Sequence, residues 1–405
     1  MSARKDDPSL TKIIIIILAI GAAGYGVWRG ARWFNDEYIG GATTAKAPES
    51  LDMARTYIEE GRTAEAREVL RPIVARVKDD AIVVEALLLL ADIEEKAGDI
   101  PAALDCLERA ANEFPNSPEH PKAALAYARL LEQQGRVPDA VGVYEEVQAS
   151  APSELRAPAL TGLGRQKERD GDLWGARELY RQAVEDAAWD SPAWQDALEA
   201  LGKANVALLF SPAETPESKA YVVEKGDNLT NIGVKLNTTQ GLLMRANGMT
   251  QESTLRLNQR LKYTPKEFRI VIERSKCRLF LLDKDGLFKC YRVGLGMPGH
   301  ETTPGSYKIG TKQKDPTWYK PGAGPIPPGD PRNELGTRWM PLEPLAEGLP
   351  GDLGIHGTTD PGTVGQYSSH GCARMVMEEV EELYDLVVRS TPVDIVDVFQ
   401  PDASN

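Results

Sequence analysis

A cysteine and two histidines carry most of the chemistry this chain can offer. Cys372 sits in Ser368-Ser369-His370-Gly371-Cys372-Ala373-Arg374-Met375, and His356, in Ile355-His356-Gly357-Thr358, lies sixteen residues before it. Two of the four histidines and one of the four cysteines therefore fall in a window of under twenty residues. A cysteine attacks as its thiolate, and an unperturbed pKa of about 8.5 leaves the thiol mostly protonated at neutral pH. It needs a base or a cationic neighbour, and imidazole serves as either. His370 is close in sequence, but Gly371 breaks the regular backbone that would aim both side chains the same way. His356 comes from a separate segment and can approach the sulfur from the side, leaving His370 to shape the turn. Gly371 also lets the backbone amides around Cys372 converge on a developing oxyanion. Arg374 would clamp a substrate carboxylate or pair with a protein acid. A zinc site is the competing reading of two histidines and a thiol, although no fourth ligand is evident.

These groups need a rigid frame, and from Lys266 onward the pattern is one of strands. Phe268 to Arg274 reads as one strand, and Cys277 to Asp283 with Leu287 to Gly294 as a hairpin around Lys284-Asp285-Gly286. Thr303 to Ile309 begins another; Val380, Leu383, Tyr384 and Val387 follow helical spacing, and Val393 to Phe399 closes with a strand. Between Lys314 and Leu342, prolines and glycines are frequent enough to predict a long functional loop. Cys277 and Cys290 flank the hairpin in a diagonal register, which favours two separate thiols over a disulfide. His300, next to Gly299, is expected to be a loop residue, with substrate contact as the alternative.

The stretches "GIHGT" and "SHGCARM", with "TTPGSYKI", "DPTWYKP" and "IPPGDPRNELGTRWM" before them, resemble the YkuD-type L,D-transpeptidase family. The resemblance implies a mainly-β catalytic domain over residues 267–398, with Cys372 as nucleophile and His356 as proton donor and acceptor. It makes Gly357 the residue whose carbonyl orients that imidazole, and puts Ser369, His370 and Gly371 around the oxyanion. Arg374, Thr358, Trp318 and Tyr319 become substrate contacts. The implied reaction is acyl transfer on peptidoglycan stem peptides without metal or cofactor. Cys372 would expel the terminal D-alanine of a tetrapeptide, form a thioester at the L-centre of the diamino acid, and pass the acyl group to a neighbouring stem as a 3-3 cross-link during cell wall assembly. Water as acceptor would make the enzyme an L,D-carboxypeptidase, and a protein lysine would make it a protein-to-peptidoglycan ligase. A non-catalytic cell-wall-binding scaffold is the alternative outside catalysis.

Upstream, 405 residues leave room for several further modules. A net charge of −13 without any Lys/Arg cluster excludes a nucleic-acid surface, which needs a concentrated cationic footprint. Residues 1–12 read as a tail and 13–28, uncharged and largely apolar, as a single-span transmembrane helix; a cleaved signal peptide and a buried helix are the alternatives. That reading predicts a single-pass protein of the cytoplasmic membrane with its bulk on the extracytoplasmic side. Over residues 50–210, Gly61, Gly98, Gly135 and Gly171 recur every 36 or 37 residues, each followed five positions later by alanine. This resembles tetratricopeptide repeats and implies an all-α solenoid, either a spacer or a surface for an envelope protein partner. Residues 211–219 form a proline-rich linker. Residues 220–264 open with Tyr221, Val223, Gly226, Asp227, Leu229 and Ile232 in the spacing of a LysM module, which implies a small α+β (βααβ) domain. Such modules bind N-acetylglucosamine-containing glycan strands, here through Gly226, Asp227 and Asn228.

Overall fold

The computed structural model describes residues 46–319, 322 and 324–400, which divide into two compact units, one through Leu155 and one from Arg156 onward. The first is a run of paired helices: α1 (Ala47–Glu59), α2 (Thr63–Arg76), α3 (Asp80–Ala97), α4 (Ile100–Asn112), α5 (His120–Gln133) and α6 (Val137–Ser150). Gly61, Gly98 and Gly135 each adopt a positive φ of 75 to 80° at the turn inside a pair, a conformation that costs glycine nothing. The alanines five residues on, Ala66, Ala103 and Ala140, are buried where the two helices of a pair meet. The 36–37-residue spacing thus marks one left-handed turn and one close helix contact per repeat.

α7 (Ser153–Arg169) begins at the division, and α8 (Leu173–Asp186) and α9 (Pro192–Phe210) complete the helical run inside the second unit. Gly171 and Ala176 repeat the pattern there. α9 also roofs the main sheet of the second unit. Trp194, Leu198 and Leu201 pack with Val271, Phe280 and Leu282 of that sheet, and a Cβ on Gly202 would meet the Lys289 side chain at 2.8 Å. The buried Asn205 accepts from Arg177 Nε at 3.0 Å and donates through Nδ2 to the Phe288 carbonyl at 2.9 Å. Asp190 accepts from both Lys276 and Arg278.

The main sheet contains β3 (Arg269–Glu273), β4 (Arg278–Asp283), β5 (Gly286–Arg292), β7 (Gly305–Ile309), β11 (Arg338–Pro344), β12 (Gly354–Gly357), β14 (Ala373–Met375) and β15 (Pro392–Val396). Its order is β14-β12-β11-β7-β15-β3-β4-β5, and β8 (Gln313–Lys314) also pairs with β11. The hairpin β4–β5 closes at Asp283↔Gly286, as the Lys-Asp-Gly turn predicts. β11 instead falls in the stretch expected to be loop. Its Pro341 faces Gly354 of β12, while its carbonyl accepts from Gly310 N on the other side, so the strand tolerates a missing N–H there. All four cysteines are free thiols, Cys277 and Cys290 included.

Residues 219–263 form β1 (Lys219–Val222), α10 (Leu229–Lys235), α11 (Gln240–Ala246) and β2 (Arg260–Tyr263), with β1 and β2 antiparallel. This βααβ domain docks on α12 (Met377–Leu386): Thr239 Oγ1 donates to the Asp385 carbonyl, and Arg245 Nε lies 2.9 Å from Asp385 Oδ2. Lys262 Nζ donates to the Leu208 and Ser211 carbonyls at the end of α9.

The expected helical repeats, small α+β domain and mainly-β domain are present, but the expected membrane anchor is corrected. No helix among the described residues is long and apolar enough to cross a membrane. Their apolar residues form stripes against neighbours: α9, 19 residues long, buries Trp194, Leu198 and Leu201 but carries Asp196, Glu199 and Lys203. Residues 13–28 lie outside the described residues, and the single-pass cytoplasmic-membrane localisation drawn from them is not retained.

The roof contributed by α9 makes the helices from Arg156 part of the catalytic fold. A chain beginning at Lys219 exposes Phe280, Leu282 and the Phe288 carbonyl, and is expected to elute as aggregate on gel filtration. A chain beginning at Arg156 is expected to run as a single folded species with one cooperative thermal transition.

Candidate active site

Parallel pairing of β12 with β14 brings the chemistry together. Ile355 lies opposite Ala373, His356 opposite Arg374 and Gly357 opposite Met375. Side chains alternate along a strand, and Ile355, Ala373 and Met375 are buried in the core. His356 and Arg374 therefore rise from the opposite face. Cys372 lies in the bend just before β14, two residues from Arg374. Trp339 of β11 faces His356 in register, with ring centroids 5.7 Å apart. Its indole lies across Gly354, where a Cβ would come within 2.3 Å of the ring.

His356 is buried, and its Nδ1 lies 2.6 Å from the Gly357 carbonyl oxygen. Gly357 itself has no room for a side chain, since a Cβ would meet Met377 Sδ at 2.7 Å. The half-buried Cys372 donates weakly from Sγ to the Asp352 carbonyl at 3.8 Å. Gly371 has φ 115°, which holds the turn before the thiol open. Ser369 Oγ accepts from Gly371 N at 3.1 Å and donates to the Cys372 carbonyl at 2.7 Å. Thr302 Oγ1 donates to the Gly371 carbonyl at 2.8 Å. The Gly371 amide, expected near the oxyanion, is bonded to Ser369 Oγ in this turn. His370 is exposed and packs edge-on against His300, with centroids 4.9 Å apart.

The remaining expected contacts are spread more widely. Arg374 Nη2 pairs with Glu334 Oε2 at 3.1 Å, so of the two roles open to it the protein-acid pair is the one formed. Thr358 Oγ1 accepts from Asp360 N at 3.1 Å and is spent on a turn. Trp318 and the exposed Tyr319 form β9, which pairs with β10 (Pro325–Ile326) in a separate two-stranded ribbon. Asn333, buried, ties the base of that ribbon by donating to the Pro316, Ile326 and Pro327 carbonyls. In the βααβ domain, Asp227 accepts from Tyr221 Oη, Glu224 N and Lys235 Nζ, and Asn228 caps α10 in a reciprocal capping box with Asn231. Gly226 supplies a turn with φ 91°. All three expected glycan contacts therefore have local structural work. Among the described residues, no group of three or more His, Cys, Asp or Glu converges as metal ligands. Sequence reasoning passed over Trp339, Glu334 and Thr302, because only the fold brings them to His356, Arg374 and the Gly371 carbonyl respectively.

Residues 267–395 match the L,D-transpeptidase catalytic domain. The chain carries an L,D-transpeptidase catalytic domain. Residues 221–264 match the LysM domain, and 51–118 and 88–154 match the tetratricopeptide repeat. A Bacillus licheniformis protein provisionally named L,D-transpeptidase YkuD is 27% identical over 181 residues, covering 43% of this chain and 97% of the relative. A Bacillus subtilis protein provisionally named L,D-transpeptidase YqjB is 35% identical over 108 residues, covering 26% of this chain and 58% of the relative. A solved L,D-transpeptidase from Mycobacterium smegmatis is 14% identical with a TM-score of 0.26; the match covers 34% of this chain and 63% of that one, under two thirds of its length.

Burial sets the resting protonation of this L,D-transpeptidase site. It pushes the Cys372 thiol up to about 11, against smaller lowering effects of the Gly354 backbone and Arg374. It pulls the His356 imidazole down to about 4, although a hydrogen bond to the Gly357 backbone opposes it. Desolvation disfavours the charged form of either group, so the two rest as neutral thiol and neutral imidazole. Iodoacetamide should therefore alkylate Cys372 slowly, with roughly a thousandth of the sulfur as thiolate at pH 8. The rate, followed by mass spectrometry, is expected to climb about tenfold per pH unit up to about pH 10. A plateau already reached below pH 8 would contradict this.

Proposed function

We propose that the chain is a peptidoglycan L,D-transpeptidase that forms 3-3 cross-links through a thioester on Cys372. The observation that carries this reading is the register that sets His356 opposite Arg374, two residues from Cys372, within the stretch that matches the L,D-transpeptidase catalytic domain. A neutral imidazole is a base with nothing to lose first. It takes the thiol proton as Sγ attacks the carbonyl at the L-centre of the diamino acid in a tetrapeptide stem. The tetrahedral oxyanion collapses, the C–N bond to the terminal D-alanine breaks, and His356 returns the proton to the leaving amine. The acyl group remains as a thioester. An amine from a neighbouring stem then enters, gives its proton through His356, and displaces the sulfur, which regains its proton. The hydrogen bond between Nδ1 and the Gly357 carbonyl would fix the plane of the ring, on which the Glu334 backbone also bears. The LysM module supports glycan strands as the ligand that brings stems to this face.

The test uses the full chain and tetrapeptide-bearing muropeptides. Free D-alanine and a dimer of 3-3 linkage are the expected products, separated from hydrolysis or ligation to protein by mass spectrometry. Cys372→Ala should release no D-alanine, and His356→Ala should lower kcat by roughly 10²- to 10⁴-fold. Since His356 holds its proton only below about pH 4, the acid limb of kcat/KM should lie near there rather than near 6.5. Equal D-alanine release by Cys372→Ala would sink the nucleophile assignment.

A further inference from the structure

Arg374 is an incompletely used guanidinium beside the reacting pair. It stands in register with His356 across β12 and β14, two residues from Cys372, and its charge bears on both of their titrations. Its side chain is only 13% exposed, and one fork atom, Nη2, meets Glu334 Oε2 at 3.1 Å. The Nε atom is buried without a hydrogen-bond partner. A guanidinium presents a planar fork that a carboxylate fills with two parallel bonds, and a buried donor left empty is unfavourable. The Glu334 backbone also bears on the His356 imidazole, so the two partners differ in exposure rather than in attachment. Arg374 is covered in its sheet strand, whereas Glu334, 42% exposed, sits on the loop after β10 beside the Asn333 stitch.

We propose that Glu334 is a specificity-determining placeholder. Its carboxylate covers the Arg374 fork at rest and is displaced by the terminal carboxylate of the donor stem. This rests on the transpeptidase reading above and names the feature of the substrate that the site selects. The chemistry of the leaving group fits the spacing. In a stem ending in D-alanine, the scissile nitrogen and the terminal carboxylate are separated by a single Cα. Neighbouring strands lie about 4.8 Å apart, so a carboxylate seated on Arg374 delivers the leaving nitrogen to His356, the residue that must protonate it. The incoming carboxylate can engage Nε as well as Nη2, replacing a one-point contact by a two-point one. A stem whose last carboxyl is blocked as an amide gains no such contact and cannot displace Glu334 by charge.

The experiment measures kcat and KM of the full chain on a tetrapeptide muropeptide and on its C-terminal carboxamide. The wild-type chain should favour the free acid by about a hundredfold in kcat/KM. Glu334→Gln is nearly isosteric and removes the competing charge. It should lower KM for the acid up to about fivefold, so that the acid-to-amide ratio of kcat/KM rises. Equal use of acid and amide by the wild-type chain overturns the proposal without touching the transpeptidase reading. A rise in KM for both stems in Glu334→Gln also overturns it, since a mere prop for Arg374 behaves that way. No release from either stem by the wild-type chain overturns the transpeptidase reading, and this inference with it.

Discussion

The parallel register between β12 and β14 is the constraint on which the site depends. Two short strands, neighbours at one end of the sheet, are locked so that His356 faces Arg374. Period-2 alternation then sorts every neighbour. Ile355, Ala373 and Met375 go to the core, and His356 and Arg374 go to the opposite face. A one-residue slip would bury the imidazole among aliphatic side chains and turn the thiol away from it. Several glycines protect this register by their lack of a side chain: Gly354 beneath the Trp339 indole, and Gly357 against Met377.

The same burial that secures the register decides the electrostatics. Hydrogen bonding to the Gly357 carbonyl favours a protonated His356, but desolvation is the larger effect and leaves it neutral. At the thiol, desolvation likewise outweighs the Gly354 backbone and Arg374. The pair is therefore not a preformed thiolate and imidazolium. Its reactivity has to be created when a substrate carbonyl arrives, because only then does charge appear that the site can stabilise. A thiol that is inert at rest is also less exposed to oxidation, which proceeds through the thiolate.

Much of this was legible in the sequence where a local rule applies. The repeat glycines and the alanines after them encode a left-handed turn and a close helix contact, and both appear at Gly98 and Ala103. The Lys284-Asp285-Gly286 turn encodes the β4–β5 hairpin. The sequence also favours His356 over His370 as the partner of Cys372, because Gly371 interrupts the backbone between the adjacent pair, and the strand register sets His356 opposite Arg374, two residues from the thiol. What the sequence hid depends on register between distant segments. β11 looks like loop because prolines usually end strands, and only its neighbours reveal that Pro341 sits where no donor is required. Trp339 and Glu334 lay in that same stretch. The residues expected to hold glycan illustrate the opposite limit. Asp227 and Asn228 were readable as landmarks of a fold, yet their side chains are engaged in building it.

Asn205 ties two modules with one amide, accepting from Arg177 of the helical run and donating to Phe288 of the sheet. A boundary drawn from repeats alone passes between these partners, whereas the fold passes through them. The hairpin α8–α9 is thus built into the second unit, and a foreign last hairpin would have to supply the same amide, the same tryptophan and the same bare Gly202 before the sheet accepted it.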